Sequence, residues 1–314
     1  MSPGTVVPMD TEASPKHEVY AYGVIAPSTL IELEDLFPSE SGYAEIRAVR
    51  RSFGGEAAGG AYVLARLGIP TKLTGAELGT DEASRWVVDC LSLAGVDCSD
   101  ISEVDGGGVT EVVVSSRAAR TIFATYGRML ADGAWTGPRQ SDVRSSRMVC
   151  LDPFFGEASE TVARWCVEDA VPYVTIDTVP ESDVAQNAAA VVISQEYADR
   201  TFGDLGVAEL LDAYVARCKG LVILTRGGGP VWYGRSGTAA HQSPVVDVEL
   251  RDTAGAGDSF RAGVIFGLLR GEADDDVVRI ASALAAMVCQ TSPGVLHSPT
   301  EPELHAFLQT EGMT

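Results

Sequence analysis

The chain has 314 residues, room for one large domain or a large one with a small companion. Its 46% apolar and 21% charged residues exclude global disorder. Lysines and arginines number 23 against 44 acidic residues, and the resulting net charge of −21 repels phosphate backbones and anionic membranes, so neither nucleic acid nor a membrane is expected as a partner.

Residues 1–18 are rich in Pro, Ser, Thr and Glu and have no basic start and no apolar core. They read as a loose arm rather than a signal peptide, ahead of a domain spanning 19–314. No stretch reaches the ~18 charge-poor apolar residues of a membrane span. Cys90, Cys98, Cys150, Cys166, Cys218 and Cys289 lack CxxC spacing and predict free thiols in a reducing, cytoplasmic setting. His17, His241, His297 and His305 are scattered and form no metal-ligand pair.

Val19 to Ile25 reads as a first strand, and Ile31 to Phe53 is strand-like with a turn at Gly42. Ala57, Ala61, Leu64 and Leu67 repeat at helical spacing and end at Gly68. Ala83, Trp86, Val87, Cys90, Leu91 and Ala94 predict a second helix, capped by Thr80 or Asp81 and closed by Gly95. Glu111–Ser115 and Thr121–Thr125 flank a polar turn and predict a hairpin. Neither this hairpin nor the 31–53 segment reads as leading into a helix, so both are assigned to a small separate sheet.

From Met148 onward strands and helices alternate. Strands are predicted at Met148–Leu151, Tyr173–Asp177, Ala190–Ser194, Leu221–Thr225 and Val245–Glu249. Helices are predicted at Ala158–Asp169, Val207–Cys218, Gly257–Arg270 and Asp276–Cys289. This alternation predicts a mostly parallel sheet covered on both faces, with ligands at the C-terminal strand ends.

The most informative stretch is Asp252-Thr253-Ala254-Gly255-Ala256-Gly257-Asp258, which opens the penultimate helix. Glycines there admit a ligand close to the backbone, and unpaired amides at a helix start suit a phosphate. A carboxylate in such a place repels phosphate unless it has a chemical task, and accepting a proton from an attacking hydroxyl is one. Asp258 is therefore the candidate general base, with the amides of Gly255, Ala256 and Gly257 stabilising the transferred group. The alternative is that Asp258 only caps the helix. None of the three lysines follows a glycine-rich loop, so no Walker A sequence is present, and no GxGxxG follows the first strand.

This stretch resembles the DTxGAGD signature of the ribokinase-like (PfkB) carbohydrate kinases. Gly54-Gly55-Glu56-Ala57-Ala58-Gly59-Gly60-Ala61, followed by Leu64-Ala65-Arg66-Leu67-Gly68, is similar to that family's N-terminal glycine motif. Gly79-Thr80-Asp81, Gly95-Val96-Asp97, Ile176-Asp177 and Leu224-Thr225-Arg226-Gly227 continue the likeness in order, so that it spans about Tyr20 to Leu308. The resemblance implies a three-layer α/β/α domain with a small β-sheet lid, here about 31–53 and 108–126. It also implies transfer of a phosphoryl group from ATP, with Mg²⁺, to a hydroxyl of a sugar or similar alcohol. Thr225, Gly227, Thr253 and Gly294 would then lie on the nucleotide side, and Ser28, Gly54, Gly55 and Gly59, with Asp258, on the substrate side. Relatives often hold a monovalent cation such as K⁺ at backbone carbonyls, here near Asp252 and residues 291–294, and some pair into homodimers through the lid.

Three positions depart from the family pattern. Ser28 stands where an aspartate commonly grips substrate hydroxyls, and Gly59 where an asparagine is usual. Glu196, in Ser194-Gln195-Glu196-Tyr197, is one position away from the glutamate expected to organise magnesium. Arg120 and Arg128 near the lid hairpin are candidates for facing an anionic group, or for simple solvation. The alternatives to a sugar kinase are a nucleoside kinase of the same fold and a catalytically silent ligand-binding relative.

Overall fold

The computed structural model describes residues 17–105, 108–116, 120–203 and 205–310. In chain order it contains Val19–Gly23 (β1), Ala26–Leu33 (β2), Ile46–Gly54 (β3), Glu56–Arg66 (α1), Thr71–Gly75 (β4), Leu78–Gly79 (β5) and Glu82–Leu93 (α2). Val96–Asp97 (β6), Glu103–Val104 (β7), Glu111–Ser115 (β8), Arg120–Ala124 (β9), Tyr126–Asp132 (α3) and Gln140–Arg144 (α4) follow. The second half runs Met148–Leu151 (β10), Glu157–Glu168 (α5), Tyr173–Ile176 (β11), Asp183–Gln186 (α6), Ala190–Ile193 (β12), Gln195–Phe202 (α7) and Val207–Val215 (α8). It closes with Leu221–Arg226 (β13), Gly229–Gly234 (β14), His241–Ser243 (β15), Ala256–Arg270 (α9), Asp274–Cys289 (α10) and Glu301–Thr310 (α11).

Nine strands form the main sheet in the order β15-β14-β13-β12-β11-β10-β1-β4-β6, parallel from β13 to β6 and antiparallel at β14 and β15. Every residue of β1, β4, β10, β11 and β12 is buried, and β10 and β12 read as unbroken apolar runs for that reason, whereas β4 buries Thr71, Lys72 and Thr74 and gave no such signal. Helix α9 packs between α1 and α10 and buries Ser259 through Gly267. The arrangement is the three-layer α/β/α architecture expected. A second sheet, ordered β3-β2-β8-β9, stands apart as the small sheet, with β2 and β8 as its inner strands.

Several expectations are corrected. The 245–249 segment is not a strand: Pro244 follows the last paired residue, Ser243, and Val245 is 42% exposed with no neighbour to ladder onto. Strand β14 was not among the predicted strands; it pairs antiparallel with β13 across a turn at residues 227–228. Both pieces of the small sheet do lead into helices, α1 after β3 and α3 after β9. Of the proposed arm, residues 1–16 lie outside the described residues, but His17 is buried against the Asp142 carbonyl at 3.3 Å and Glu18 bonds Pro70. Asp81 rather than Thr80 caps α2, accepting from the amides of Ala83 and Ser84. All six cysteines are free thiols, and no described helix is long and apolar enough to cross a membrane.

Candidate active site

Strand order reverses beside β1, whose neighbours are β10 on one side and β4 on the other. A crevice is expected at the C-terminal ends of strands at such a point. A cavity of about 230 Å³ lies there, roofed by the small sheet and floored by the start of α9. Ser28, Gly54, Gly55, Glu111, Arg120 and Tyr126 line one side, and Thr225, Gly255, Gly257, Asp258 and Gly294 the other.

Helix α9 begins in the manner its glycines dictate. Gly255 is its cap, in the left-handed region at φ 80°, where a side chain would be strained and would also meet Val295 at 2.9 Å. Asp258 follows three residues later and caps nothing, since the helix start has no side-chain cap bond. Among the described residues the carboxylate of Asp258 makes no hydrogen bond, and neither Gly255 nor Gly257 gives its amide to another group. Ala256 differs from expectation: its amide donates to the Thr253 carbonyl at 3.3 Å and so is turned into the loop.

The ionisable groups of the cleft are mostly acidic and mostly shielded from solvent. Burial raises the Asp258 carboxyl to about 7; Arg261 opposes the rise, and the charges of Asp152 and Glu111 add to it. Burial also raises Glu56, the first residue of α1, to about 8, reinforced by Asp152 and Asp258. Beneath them Asp152, at the end of β10, is fully buried. Its Oδ1 meets Arg261 Nη1 at 2.6 Å, and its Oδ2 accepts the amides of Val24 at 2.7 Å and Ala57 at 3.1 Å. One carboxylate thus ties β10 to the end of β1, to α1 and to α9.

The substrate-side glycines occupy different places. Gly54 and Gly55 line the cleft, whereas Gly59 does not. A Cβ on Gly59 would lie 2.4 Å from Asp258 Oδ2 and 2.6 Å from its Cβ, so Gly59 sits directly behind the carboxylate. The direct substrate contact expected of Gly59 is corrected: its bareness makes room for Asp258. Ser28 is buried and donates to Glu111 Oε1 at 2.7 Å.

On the opposite side, Thr225 and Gly294 line the cleft, whereas Thr253 is outside the lining, next to the lining residue Ala254. Gly227 is in the β13–β14 turn, outside the lining. Arg120 on β9 reaches across to donate to the Thr253 carbonyl at 2.9 Å, and it pairs with Glu196 at 3.3 Å. Arg128 instead pairs at the surface with Asp132. No group of three potential metal ligands is found among the described residues. Asp252 joins the two loops named for a monovalent cation, accepting from Ala254 and from Ser292 Oγ at 2.8 Å.

Sequence reasoning missed Asp152, Glu111, Glu56 and Arg261 as members of this site. Asp152 had a readable signal, a carboxylate at the end of a buried strand next to the central one. Arg261 stands three residues after Asp258, on the same helix face. Glu111 had none, because only strand pairing brings it beside Ser28.

A family model for pfkB family carbohydrate kinases matches residues 16–301. The chain belongs to this family. Among its relatives, the ATP-dependent ribose-1-phosphate kinase of Halopiger xanaduensis is 28% identical over 287 residues, 87% of this chain and 92% of the other. The nucleoside kinase of Methanothermobacter thermautotrophicus is 25% identical over 291 residues, 88% of this chain and 91% of the other. The structure of Arabidopsis thaliana ribokinase complexed with ribose and ATP shares the fold at a TM-score of 0.76 and 20% identity, covering 93% of this chain and 99% of that one. As a pfkB kinase, the protein is an ATP-dependent phosphotransferase with an alcohol acceptor, a sugar or nucleoside.

Proposed function

We propose that this kinase transfers the γ-phosphoryl group of ATP to a hydroxyl of a neutral, polyhydroxylated sugar, with Asp258 as the general base. The observation that carries this reading is the unengaged carboxylate of Asp258, set in the cleft among the free amides at the start of α9. Asp258 takes the proton as the acceptor oxygen attacks phosphorus, and the amides of Gly255 and Gly257 stabilise the charge on the moving group. Thr225 and Gly294 from the cleft wall, and Thr253 and Gly227 at its edge, hold the nucleotide. Gly54 and Gly55 border the acceptor.

The lining favours a neutral acceptor. Glu56, Glu111, Asp177, Glu196 and Asp258 line the cavity with only Arg120 and Arg261, and although burial keeps Glu56 and part of Asp258 protonated near neutrality, this acid-rich lining offers a second phosphate little positive charge. The nucleoside reading has one observation in its favour: Leu30, Val113 and Ile122 give the roof an apolar patch suited to the flat face of a base.

Mg²⁺, when bound with ATP, neutralises charge across the phosphates. Glu196 offers it a single carboxylate, which fits an ion that keeps most of its waters. A K⁺ ion would draw on carbonyls near Asp252 and residues 291–294. The free thiols support a reducing, cytoplasmic setting. Ile46, Val49, Ile122 and Phe123 leave large apolar surface exposed on the lid, which supports pairing of two copies there.

The test is ADP formation over a panel of neutral pentoses, hexoses, nucleosides and sugar phosphates. Turnover of a neutral sugar supports the proposal. ATP and acceptor binding without turnover on any member would instead identify a silent relative.

A further inference from the structure

We infer that Glu111, on the lid, is the carboxylate that grips the acceptor's hydroxyl groups, taking over a task that Ser28 cannot perform. This inference rests on the kinase reading of the same cleft and adds to it the residue that selects the acceptor.

Strands β2 and β8 run parallel, with Ser28 and Glu111 as direct Cα partners. The glutamate side chain crosses beneath β2 toward β3. Its Oε1 accepts from Ser28 Oγ at 2.7 Å and would lie 2.4 Å from a Cβ on Gly54. Its Oε2 accepts from the Tyr126 hydroxyl at 2.7 Å. The path is open only because residue 28 is small and residue 54 has no side chain. A longer acid from the neighbouring strand thereby puts its charge where a shorter one at position 28 would have put it.

An ionised carboxylate offers about four acceptor positions. Ser28 and Tyr126 occupy one on each oxygen, and no described cation pairs with Glu111. One free position per oxygen remains in a residue that lines the cavity. Two neighbouring acceptors about 2.2 Å apart match a vicinal diol, each hydroxyl donating to one oxygen. Glu111 also contributes to the raised carboxyl of Asp258, so its charge is felt at the base. Because Glu111 belongs to the lid, gripping the diol and lowering the roof become one event.

The experiment measures steady-state kinetics of the full chain and of E111Q, E111A and S28D/E111A with D-ribose, inosine and D-ribose 1-phosphate as acceptors. In E111Q, KM for the acceptor should rise about tenfold or more, the loss expected of a charge-assisted hydrogen bond. KM for ATP should stay within about twofold, since Glu111 faces away from the nucleotide side. The acid limb of kcat/KM should move to lower pH, a change a purely structural role would not produce. S28D/E111A should recover acceptor affinity relative to E111A. An unchanged acceptor KM in both E111Q and E111A, with wild-type turnover intact, overturns the inference and leaves the kinase reading standing. If the wild type turns over none of the three, the proposed acceptor class loses its support. Calorimetric titration of the same compounds then decides the inference alone: weaker binding to E111A upholds it, and equal or absent binding overturns it.

Discussion

Asp258, the proposed base, is half-buried, and this sets both the pH at which it would act and what it costs the fold. A base raised to about 7 is ionised only above neutrality, so kcat/KM should climb through that pH and level off above it, rather than near 4. Asp258→Asn should lower kcat by about 10²–10⁴ while KM for ATP changes little. The same shift works against stability. Its folded pKa exceeds the unfolded value, so the carboxyl destabilises progressively as pH rises from about 4 to about 7, and fully above that. Asp258→Asn should therefore melt higher than wild type at pH 8, with no gain at pH 4, in paired calorimetric scans. A lower melting temperature at pH 8 would contradict the assigned burial. Gly59→Ala is the companion variant. Its new methyl meets Asp258 from behind, and overpacking of this kind costs about 1–3 kcal/mol. We expect kcat to drop with the displaced base, measured beside urea unfolding.

At the level of elements, two ties hold the site together. Asp152 and Arg261 join β10 to α9 at 2.6 Å, with side chains 0% and 1% exposed. Arg261→Met leaves a buried carboxylate unpaired and should destabilise by about 3–5 kcal/mol in denaturant titration, whereas an exposed pair such as Arg128–Asp132 should contribute almost nothing. The second tie is Arg120, which links β9 to the Thr253 carbonyl and to Glu196. Arg120→Ala should speed hydrogen exchange at β8 and β9 and leave β1 and β10 unchanged, because the latter are buried in the main sheet. Much of this layer was legible in advance. The α9 loop announced itself through its glycines, and the buried parallel strands through their apolar runs. The 245–249 segment misled because an alternating apolar run specifies a strand only where a partner edge exists. Glu111 and Arg261 escaped because their neighbours lie 83 and 109 residues away in the chain.

For the molecule as a whole, the fold was readable because two ordered glycine motifs anchor opposite ends of the chain. The substrate was not, because the acceptor side is assembled from single residues on β2, β3, β8, α1 and α9. The exposed apolar residues of the lid predict self-association. Sedimentation at micromolar concentration should show a dimer, and Val49→Lys should shift it toward monomer; a wild-type monomer would count against pairing through this face.

The bare position behind the proposed base also constrains which substitutions the site tolerates. A side chain added at residue 59 meets the Asp258 carboxylate first. Accommodating a side chain there requires Asp258 or the spacing of α1 against α9 to shift. New acceptor preferences are therefore most accessible through the roof of the cleft, where residues 28 and 111 can trade roles without disturbing its floor.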